Sequence, residues 1–577
     1  MNHAANSLLT LRVPPWRSRL LVGLLLLWFL GLIIRALYLQ GLHNDFLRQK
    51  GDARSSRVIQ LSAHRGMITD RSGEPLAIST PVDSVWASPS DVAMTDDQAK
   101  RLVKLLAISR AELKRRLSDT RREFVYLKRQ LPPQVAAQAL QLGVPGVFVQ
   151  RGYRRYYPAG EVTSHLLGFT SIDDNGQEGV ELAYQDWLAG KVGSRRVLKD
   201  RLGHIIEDVE SIKAPEEGRD LALSIDLKIQ YLAYRELEKA VAEHKAKAGS
   251  VVVLDAKTGE ILALANLPTY NPNNRIHLTV ARMRNRAITD IFEPGSTLKP
   301  FTAAAVLEAG TFKATSLIQT APGHFSIGPA TIHDAHPQGL ITVAQVIQKS
   351  SNVGAAKMAL SLKPEYMWTV LNHMGFGTAP HAGFPGEASG KLRPYQTWRP
   401  IEQATMAFGH GISVSLLQLA RAYTVFANGG ELKTVTMLKQ TAPSAGNQVI
   451  SAGVSQSVRD MLELVVQPGG TAPRAQVSGY RVAGKTGTAH KLDGNGYAAD
   501  RYVASFVGMA PASNPRLVIA VMIDEPSNGQ YYGGTVAAPV FSNVMSGALR
   551  MLGTPPDAPT NNIILPSPDE PVVKEVV

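Results

Sequence analysis

The heptapeptide Glu293-Pro294-Gly295-Ser296-Thr297-Leu298-Lys299 predicts the start of a helix that carries a candidate nucleophile and a candidate base. Pro-Gly favours a helix start, and Gly310 is a typical residue for the helix end. Ser296 and Lys299 are three positions apart, so their side chains share one helical face. A serine hydroxyl becomes a good nucleophile when a neighbouring base such as lysine takes its proton. A Ser-x-x-Lys pattern occurs by chance about twice in a chain of this length, so the assignment depends on other segments.

A second segment, Ser350-Ser351-Asn352, supplies a hydroxyl and an amide further along the chain. The Ser350 hydroxyl is a candidate proton relay. The Asn352 amide can both donate to and accept from a peptide-like substrate. The alternative is a simple helix cap before a helix that starts near Val353, and both interpretations can hold together.

A third segment, Lys485-Thr486-Gly487-Thr488, lies on a predicted strand near the end of the chain. Its lysine and threonine side chains are candidates for binding a substrate carboxylate. We expect Gly487 to leave room for a ligand along the strand edge. The backbone N–H groups of Thr488 and Ser296 together would form an oxyanion hole.

The chain also contains the earlier triplet Lys257-Thr258-Gly259, which matches the start of the third segment. It precedes the candidate nucleophile and falls where a hairpin turn is predicted, so we interpret it as turn chemistry. The other three segments occur in the order found in penicillin-binding proteins and class A β-lactamases. That order indicates acyl transfer through a serine ester.

Composition limits the possible classes of protein. The 577 residues are enough for two or three domains, and the absence of cysteine excludes disulfides, thiolate metal sites and cysteine catalysis. The net charge of +13 favours a solvated basic face, with a surface for anionic lipid or polymer as the alternative. We expect no nucleic-acid binding, because the basic residues form no stripe with interleaved aromatic side chains. We also expect no metal and no organic cofactor.

An apolar run near the N-terminus predicts a membrane anchor. Residues 20–34 are all apolar or glycine, and residues 36–39 continue the run after Arg35. About 20 such residues suffice to cross a bilayer as a helix. Arginines precede the run, which predicts a cytoplasmic segment 1–19, a single-pass anchor at 20–40, and the rest of the chain beyond the membrane. A cleaved signal peptide is the alternative, but no clear cleavage site follows the run.

Beyond the anchor, the sequence predicts two domains and a tail. Residues 41–218 are mixed and charged, with a hairpin at 65–77 and a helical pattern over 98–117. Residues 219–553 predict a hairpin at 249–265, helices in the middle and strands near the end. This layout is typical of an α/β domain whose sheet pairs early with late segments. The proline-rich residues 554–577 predict a disordered tail.

Taken together, these motifs make the sequence resemble the class B penicillin-binding proteins, most of all their division-specific members. The resemblance extends from the anchor to about residue 550 and includes further matching segments: residues 65–77, 155–160, 179–181, 270–273, 292–299, 350–354, 409–411 and 532–534. It implies a transmembrane helix, an elongated non-catalytic α+β pedestal domain, and an α/β transpeptidase domain with a central antiparallel sheet and helices on both sides.

The resemblance also implies catalytic roles. Ser296 would attack the D-Ala-D-Ala carbonyl of a peptidoglycan stem peptide, with Lys299 taking the serine proton. Ser350 and Lys485 would assist proton transfer to the departing D-alanine. An amine of a neighbouring stem peptide would then attack the acyl-enzyme and form the cross-link. β-Lactams would acylate the same serine.

Substrate binding follows from the same resemblance. Asn352 would orient the donor peptide amide, and Thr486 and Thr488 would hold its terminal carboxylate, with Gly487 between them. His410 stands between two glycines in residues 409–411, where we expect an aromatic or another polar residue. We expect His410 to affect substrate fit and not the mechanism.

The implied location is the inner membrane at the division site, with the catalytic domain in the periplasm. The implied partners are a membrane-embedded, lipid-linked glycan polymerase and other divisome proteins. An elongation-specific class B enzyme would carry the same three motifs and is the main alternative. A β-lactamase or a membrane β-lactam sensor fits less well, since the first lacks an anchor and pedestal and the second has several membrane spans.

Overall fold

A computed structural model describes residues 14–39, 56–61, 63–199, 205–442, 445–494 and 496–564. Helix α1 (Pro15–Leu37) has no buried residue and starts at a proline, which suits the first helical turn. Within the described residues, α1 alone is long and apolar enough to cross a membrane. It covers most of the predicted anchor. Its orientation in the membrane stays a prediction.

Short strands and helices alternate between the anchor and residue 216. In chain order they are β1 (Ser56–Leu61), β2 (Ile68–Thr69), β3 (Pro75–Ala87), α2 (Asp96–Leu106), α3 (Arg110–Leu117), β4 (Val125–Leu131), α4 (Pro133–Gln141), β5 (Val147–Tyr156), α5 (Ser164–Leu167), α6 (Gly179–Ala183), α7 (Gln185–Leu188), β6 (Gly193–Lys199) and β7 (Ile205–Lys213). The predicted hairpin at 65–77 is present, with Ile68 paired to Ala77.

The helical pattern over 98–117 belongs to two helices instead of one. Ala107 adopts a left-handed conformation with φ 49°, which ends α2. Ser109 then caps α3 by accepting a hydrogen bond from the Glu112 amide at 3.0 Å. Leu102, Leu106 and Leu113 lie in one apolar core with residues of β4 and α4, and Leu117 packs against it, so the period continues across the break.

The chain forms two compact units. The first comprises Met1–Ala63, Pro81–Gly152 and Lys191–Glu216; the second comprises His64–Thr80, Tyr153–Gly190 and Glu217–Val577. Two segments from the predicted region 41–218 therefore belong to the second unit. The first unit includes an antiparallel sheet in the order β1-β6-β7.

The second unit continues from residue 217 with helices between early and late strands. In chain order its elements are β8 (Leu221–Ala222), α8 (Leu227–Glu243), β9 (Ala248–Asp255), β10 (Ile261–Leu267), α9 (Val280–Met283), α10 (Arg286–Thr289), α11 (Lys299–Glu308), β11 (Leu317–Gln319), β12 (His324–Ile327), β13 (Ala330–His333), β14 (Leu340–Thr342), α12 (Val343–Lys349), α13 (Asn352–Leu360), α14 (Pro364–His373), α15 (Pro400–Met406), α16 (Leu416–Ala427), β15 (Glu431–Leu432), β16 (Asn447–Gln448), α17 (Ala452–Val466), β17 (Ala483–Asp493), β18 (Gly496–Ala510), β19 (Leu517–Asp524), α18 (Gly533–Val536) and α19 (Ala538–Met551).

A five-stranded antiparallel sheet in the order β10-β9-β19-β18-β17 forms the centre of this unit. Every residue of β9 and β19 is buried, as their continuous apolar sequences suggest. Helices α8 and α19 pack together against the sheet, and Phe506 of β18 contacts Phe541 of α19. Helices α11, α16 and α17 lie on the other side, so the predicted antiparallel sheet with helices on both sides is confirmed. Strand β17 forms one edge of this sheet, and β10 forms the other.

A buried ion cluster joins the two segments of the second unit that precede residue 190. Glu181 accepts from Arg65 Nε at 2.7 Å and from Arg155 Nε at 2.6 Å, and all three side chains are shielded from water. Arg65 also donates to the carbonyl oxygens of Asp174 and Glu181. Backbone acceptors satisfy further N–H groups of Arg65, which lowers the cost of burying its charge.

Replacing Glu181 with glutamine should destabilise the second unit by about 3–5 kcal/mol, because two buried cations lose their counter-charge. The measurement is thermal or urea unfolding of the full chain. The matched control is Glu216→Gln, which breaks the exposed Lys191–Glu216 pair and should cost less than about 1 kcal/mol. Equal effects of the two substitutions would contradict the structural role of the cluster.

The proline-rich tail is ordered further than its composition predicted. The Asp557 carboxylate accepts from the backbone N–H groups of Arg481 and Ser513, and Asn562 accepts from the Gly479 N–H. The Ile564 N–H donates to Gln476. Prolines supply no such donors, and the side chains between them make the contacts. The predicted disorder is therefore wrong for residues 554–564, and residues 565–577 lie outside the described residues.

Candidate active site

Ser296 lies in a 3₁₀ turn, Gly295–Leu298, that runs directly into α11. Gly295 has φ 56°, a left-handed conformation that glycine adopts without strain. The Tyr423 hydroxyl of α16 donates to the Thr297 carbonyl at 2.8 Å, which fixes the turn against the helical layer. The predicted serine at the start of a helix is therefore present, although the first turn is tighter than an α-helix.

Two buried lysines and two serine hydroxyls form a continuous hydrogen-bonded chain. Lys299 Nζ lies 3.0 Å from Ser296 Oγ, 3.0 Å from Ser350 Oγ and 2.5 Å from the Ser350 carbonyl oxygen. Lys485 Nζ donates to the same Ser350 hydroxyl at 2.9 Å. Both lysines are 0% exposed, and Ser296 is 5% exposed. A proton can therefore move between the nucleophile and Lys485 through groups that are in hydrogen-bond contact.

A break between two helices places Ser350. Helix α12 ends at Lys349, Ser350 adopts a left-handed conformation with φ 61°, and α13 begins at Asn352. This bend directs both the hydroxyl and the carbonyl of Ser350 to Lys299. Ser351 caps α13 by accepting from the Gly354 N–H at 2.9 Å, so the segment provides the expected helix cap as well as the relay position.

Asp334 anchors this segment and was not identified from the sequence. Its carboxylate accepts from Ser351 Oγ at 2.6 Å and from the Val353 N–H at 3.0 Å. The neighbouring His333 carbonyl accepts from Asn352 Nδ2 at 3.3 Å. Asp334 follows a short hairpin, β12–β13, and no local pattern there indicates a contact with α13.

The third motif lies on β17, the predicted strand, beside the nucleophile turn. Thr486 Oγ1 is 3.0 Å from Lys485 Nζ and 2.8 Å from Thr471 Oγ1. Thr488 Oγ1 accepts from the Gly533 N–H at 3.1 Å. The two threonines are 0% and 2% exposed. Their hydroxyls are thus held by neighbouring protein groups at the sheet edge.

Packing requires a glycine at position 487. A Cβ at this position would lie 2.5 Å from Ser505 Oγ, 2.7 Å from the Pro294 carbonyl oxygen and 2.9 Å from Thr297 Cγ2. The expected room for a ligand along the strand edge stays a prediction. Glycine at this position lets β17 and the turn approach closely.

Replacing Gly487 with alanine should push the nucleophile turn away from β17 and lower the rate of acylation by a β-lactam about 10²-fold or more. The measurement is the second-order rate constant for labelling by a fluorescent penicillin. Gly496→Ala is the matched control, since a Cβ at Gly496 of β18 meets no atom within 4 Å. Equal rates for the two variants would contradict the packing explanation.

A carboxylate and two rings flank the nucleophile. Glu293 accepts from the Gly411 N–H at 2.8 Å and from the Tyr497 hydroxyl at 2.9 Å, and burial raises the pKa of Glu293. His410 contacts the Tyr497 ring with centroids 5.9 Å apart. Burial, with a smaller effect from the Lys299 charge, lowers the pKa of His410 to about 4. His410 is therefore neutral at pH 7, and its effect on substrate fit stays a prediction.

The earlier triplet Lys257-Thr258-Gly259 forms the turn between β9 and β10, as predicted. Asp255 Oδ1 accepts from the N–H groups of Lys257 and Thr258 at 2.9 and 3.1 Å. Gly259 has φ 72°, which suits glycine in a tight turn.

Comparison with known proteins gives the family of this chain. Residues 249–546 match the penicillin-binding protein transpeptidase domain, and residues 60–223 match the penicillin-binding protein dimerisation domain. The chain belongs to the class B penicillin-binding proteins. This is a family of serine acyltransferases, in agreement with the resemblance seen in the sequence.

Relatives of this penicillin-binding protein align along most of its length. It is 44% identical over 544 residues to a probable peptidoglycan D,D-transpeptidase PenA of Neisseria meningitidis, covering 94% of this chain and 93% of the relative. It is 43% identical to the peptidoglycan D,D-transpeptidase FtsI of Escherichia coli K12, with the same coverage. The transpeptidase domain of Burkholderia pseudomallei penicillin-binding protein 3 is 50% identical, with a TM-score of 0.55, covering 58% of this chain and 98% of that structure.

Proposed function

We propose that this penicillin-binding protein is a D,D-transpeptidase that cross-links peptidoglycan stem peptides of the septal cell wall. The observation that carries the proposal is the buried chain from Ser296 through Lys299 and Ser350 to Lys485. Such a chain can activate a serine and return its proton to a leaving amine. Relatives named peptidoglycan D,D-transpeptidase support the assignment of stem peptides as substrates.

In the first half-reaction, Ser296 Oγ attacks the carbonyl carbon between the two D-alanines of the donor stem. Lys299 Nζ accepts the hydroxyl proton at 3.0 Å as the new C–O bond forms. Two ammonium groups on the single Ser350 hydroxyl would repel each other in this buried site, which favours a neutral Lys299 as the base. The backbone N–H groups of Ser296 and Thr488 would stabilise the oxyanion.

Collapse of the tetrahedral intermediate breaks the C–N bond and releases D-alanine. The leaving nitrogen takes a proton through Ser350, which Lys485 supports at 2.9 Å. In the second half-reaction, an amine of a neighbouring stem attacks the Ser296 ester, and the same groups act in reverse. A peptide bond forms and Ser296 recovers its proton.

Substrate placement would depend on the groups around this chain. The hydroxyls of Thr486 and Thr488 lie on the edge strand with Lys485, so a donor carboxylate placed there would receive hydrogen bonds and a positive charge. Asn352 lies two positions after Ser350, which contacts Lys299. Its amide would orient the donor peptide. Gly487, which has no side chain, would let β17 lie close to the turn that carries the nucleophile.

β-Lactams would acylate Ser296 because the strained amide presents the same carbonyl. The leaving nitrogen stays attached to the acyl group, which keeps it near the ester. The acidic residues close to the motifs are already engaged, Glu293 with Gly411 and Tyr497, and Asp334 with Ser351 and Val353. Neither is arranged as the water-activating base of a β-lactamase, so we expect a long-lived adduct.

The lifetime of that adduct separates a transferase from a hydrolase. The full-length protein in detergent is mixed with a slight excess of penicillin, and intact mass is followed over hours. One lasting adduct supports the transpeptidase. Rapid turnover of penicillin without a lasting adduct would instead identify a β-lactamase.

Cell shape after depletion separates a role in division from one in elongation. Filaments with unfinished septa are expected if the enzyme acts at the division site, whereas rounded cells would assign it to elongation. Helix α1, the one helix among the described residues that is long and apolar enough to cross a membrane, supports an inner-membrane anchor with a periplasmic catalytic unit. A periplasm-active reporter fused after residue 564 should be active.

We expect the partners to be a lipid-linked glycan polymerase and other divisome proteins. Co-purification with the anchored chain tests this expectation.

A further inference from the structure

A cavity in the second unit is lined by none of the residues Ser296, Lys299, Ser350 and Lys485. Its volume is about 560 Å³, within the range of small-molecule sites. It is lined by the β9–β10 turn at Lys257, the end of α16, strand β15, the start of α17 and the loop before β19. The lining residues include Asn428, Gln456, Ser513 and Asn514, which offer hydrogen-bond donors and acceptors.

The charged residues that line this cavity are mainly positive. Lys257, Lys433 and Arg459 face it, with Glu431 as the one lining carboxylate. Glu431 is already paired with Lys433, with 2.9 Å between Oε2 and Nζ. These three cations and one carboxylate have a combined formal charge of +2. A dianion in the cavity would therefore be balanced.

Asp460 and Glu463 act on Arg459 from outside the lining, and Glu463 is paired with Arg481. Asp255 acts on Lys257 and also has partners of its own. Its Oδ1 accepts the two turn N–H groups of Lys257 and Thr258, and its Oδ2 pairs with Arg516. Burial and the charges of Arg459 and Lys433 lower the pKa of Lys257, which shows how strongly these cations act on one another. An anion between them would relieve that repulsion.

Arg459 is the buried component of the site. It is 8% exposed, and its Nη1 donates to the Phe426 carbonyl at 3.0 Å while its Nη2 donates to Gln456. The remaining Nε is buried and has no hydrogen-bond partner among the described residues. A buried guanidinium donor without an acceptor is unfavourable by itself, and an oxyanion is the acceptor that guanidinium groups match best.

We propose that this cavity binds a small polar ligand that carries a phosphate group, through Lys257, Lys433 and Arg459. A phosphate group supplies two negative charges and several acceptor oxygens, which matches the balance of charge and the unpartnered guanidinium donor. The volume exceeds that of phosphate alone, and the amide and hydroxyl groups of the lining suit a hydroxylated or diphosphate body. This site is independent of the transpeptidase assignment.

The test uses the full-length protein in detergent, titrated by calorimetry with inorganic phosphate and with pyrophosphate. Saturable binding to one site is expected for at least one of them, and succinate serves as a dicarboxylate probe of similar charge. Lys257→Gln and Arg459→Gln should each weaken binding about tenfold or more, since each removes a charge-assisted contact. The exposed Lys363→Gln, which lies outside the cavity, should bind as the wild type does.

Lys257 sits on a turn, so its variant is expected to fold even if the buried Arg459→Gln does not, and thermal unfolding checks both. Loss of phosphate binding in Lys257→Gln, with the wild-type melting temperature, would support the site. Unchanged affinity in Lys257→Gln would overturn it. Absence of saturable binding by both phosphate probes, or binding of succinate alone, would overturn the assignment of a phosphate group.

Discussion

Replacing Ser296 with alanine should abolish covalent labelling by penicillin, at any concentration and after any incubation time. The reason is that the acyl bond forms on Ser296 Oγ, and no second hydroxyl replaces it in the attack. The measurement is the intact mass of the full-length protein after penicillin treatment. The wild type should show one adduct and the variant none.

Ser350→Ala is the matched control for this experiment. Ser296 and Ser350 each place Oγ 3.0 Å from Lys299 Nζ, so the two substitutions remove equivalent contacts to the lysine. Ser350→Ala should slow labelling by about 10²- to 10⁴-fold, the usual contribution of assisted proton transfer, yet the adduct should still form. If Ser296→Ala still formed a lasting adduct, or if Ser350→Ala alone lost it, Ser350 would be the acylated nucleophile and Ser296 would not.

Replacing Lys299 with arginine should lower the acylation rate constant by about 10³-fold or more. Arginine keeps the positive charge and the donors but cannot be deprotonated, so it cannot take the serine proton. The measurement is the second-order rate of labelling by a fluorescent penicillin. A purely electrostatic role for Lys299 predicts a small effect instead.

Lys485→Arg controls for the bulk of the guanidinium group in the same buried site. Both lysines are fully shielded, and both contact the Ser350 hydroxyl. Because Lys485 is expected to act by charge and hydrogen bonding, arginine should preserve more of its function than at Lys299. If the two variants lose activity equally, or if Lys299→Arg stays active, the assignment of Lys299 as the base fails.

Motif order and strand patterning made the fold and the reactive groups predictable. Buried strands such as β9 and β19 carry continuous apolar runs, and the turn at Lys257 has its own local signal. Pro-Gly before Ser296 marked the start of the nucleophile turn. These features depend on neighbours in sequence, so a single chain shows them.

Contacts between distant segments were the part that the sequence left open. Asp334 reaches α13 from a hairpin, and Tyr497 reaches Glu293 from the start of β18. The reason for Gly487 was also missed, because the Pro294 carbonyl that excludes a side chain there belongs to another segment. The two segments before residue 190 are joined to each other through Glu181, whose burial no local pattern reveals.

The reactive chain comes from three separate places: the turn before α11, the junction of α12 and α13, and the edge strand β17. The third part is in place only when β17 is paired in the central sheet, which also contains the early strands β9 and β10. We therefore expect covalent labelling by a fluorescent penicillin to count molecules in which this sheet has formed. During refolding from denaturant, labelling competence should emerge after the helical signal has recovered. The antibiotic thus becomes a reporter of how many molecules in a preparation have reached the native state.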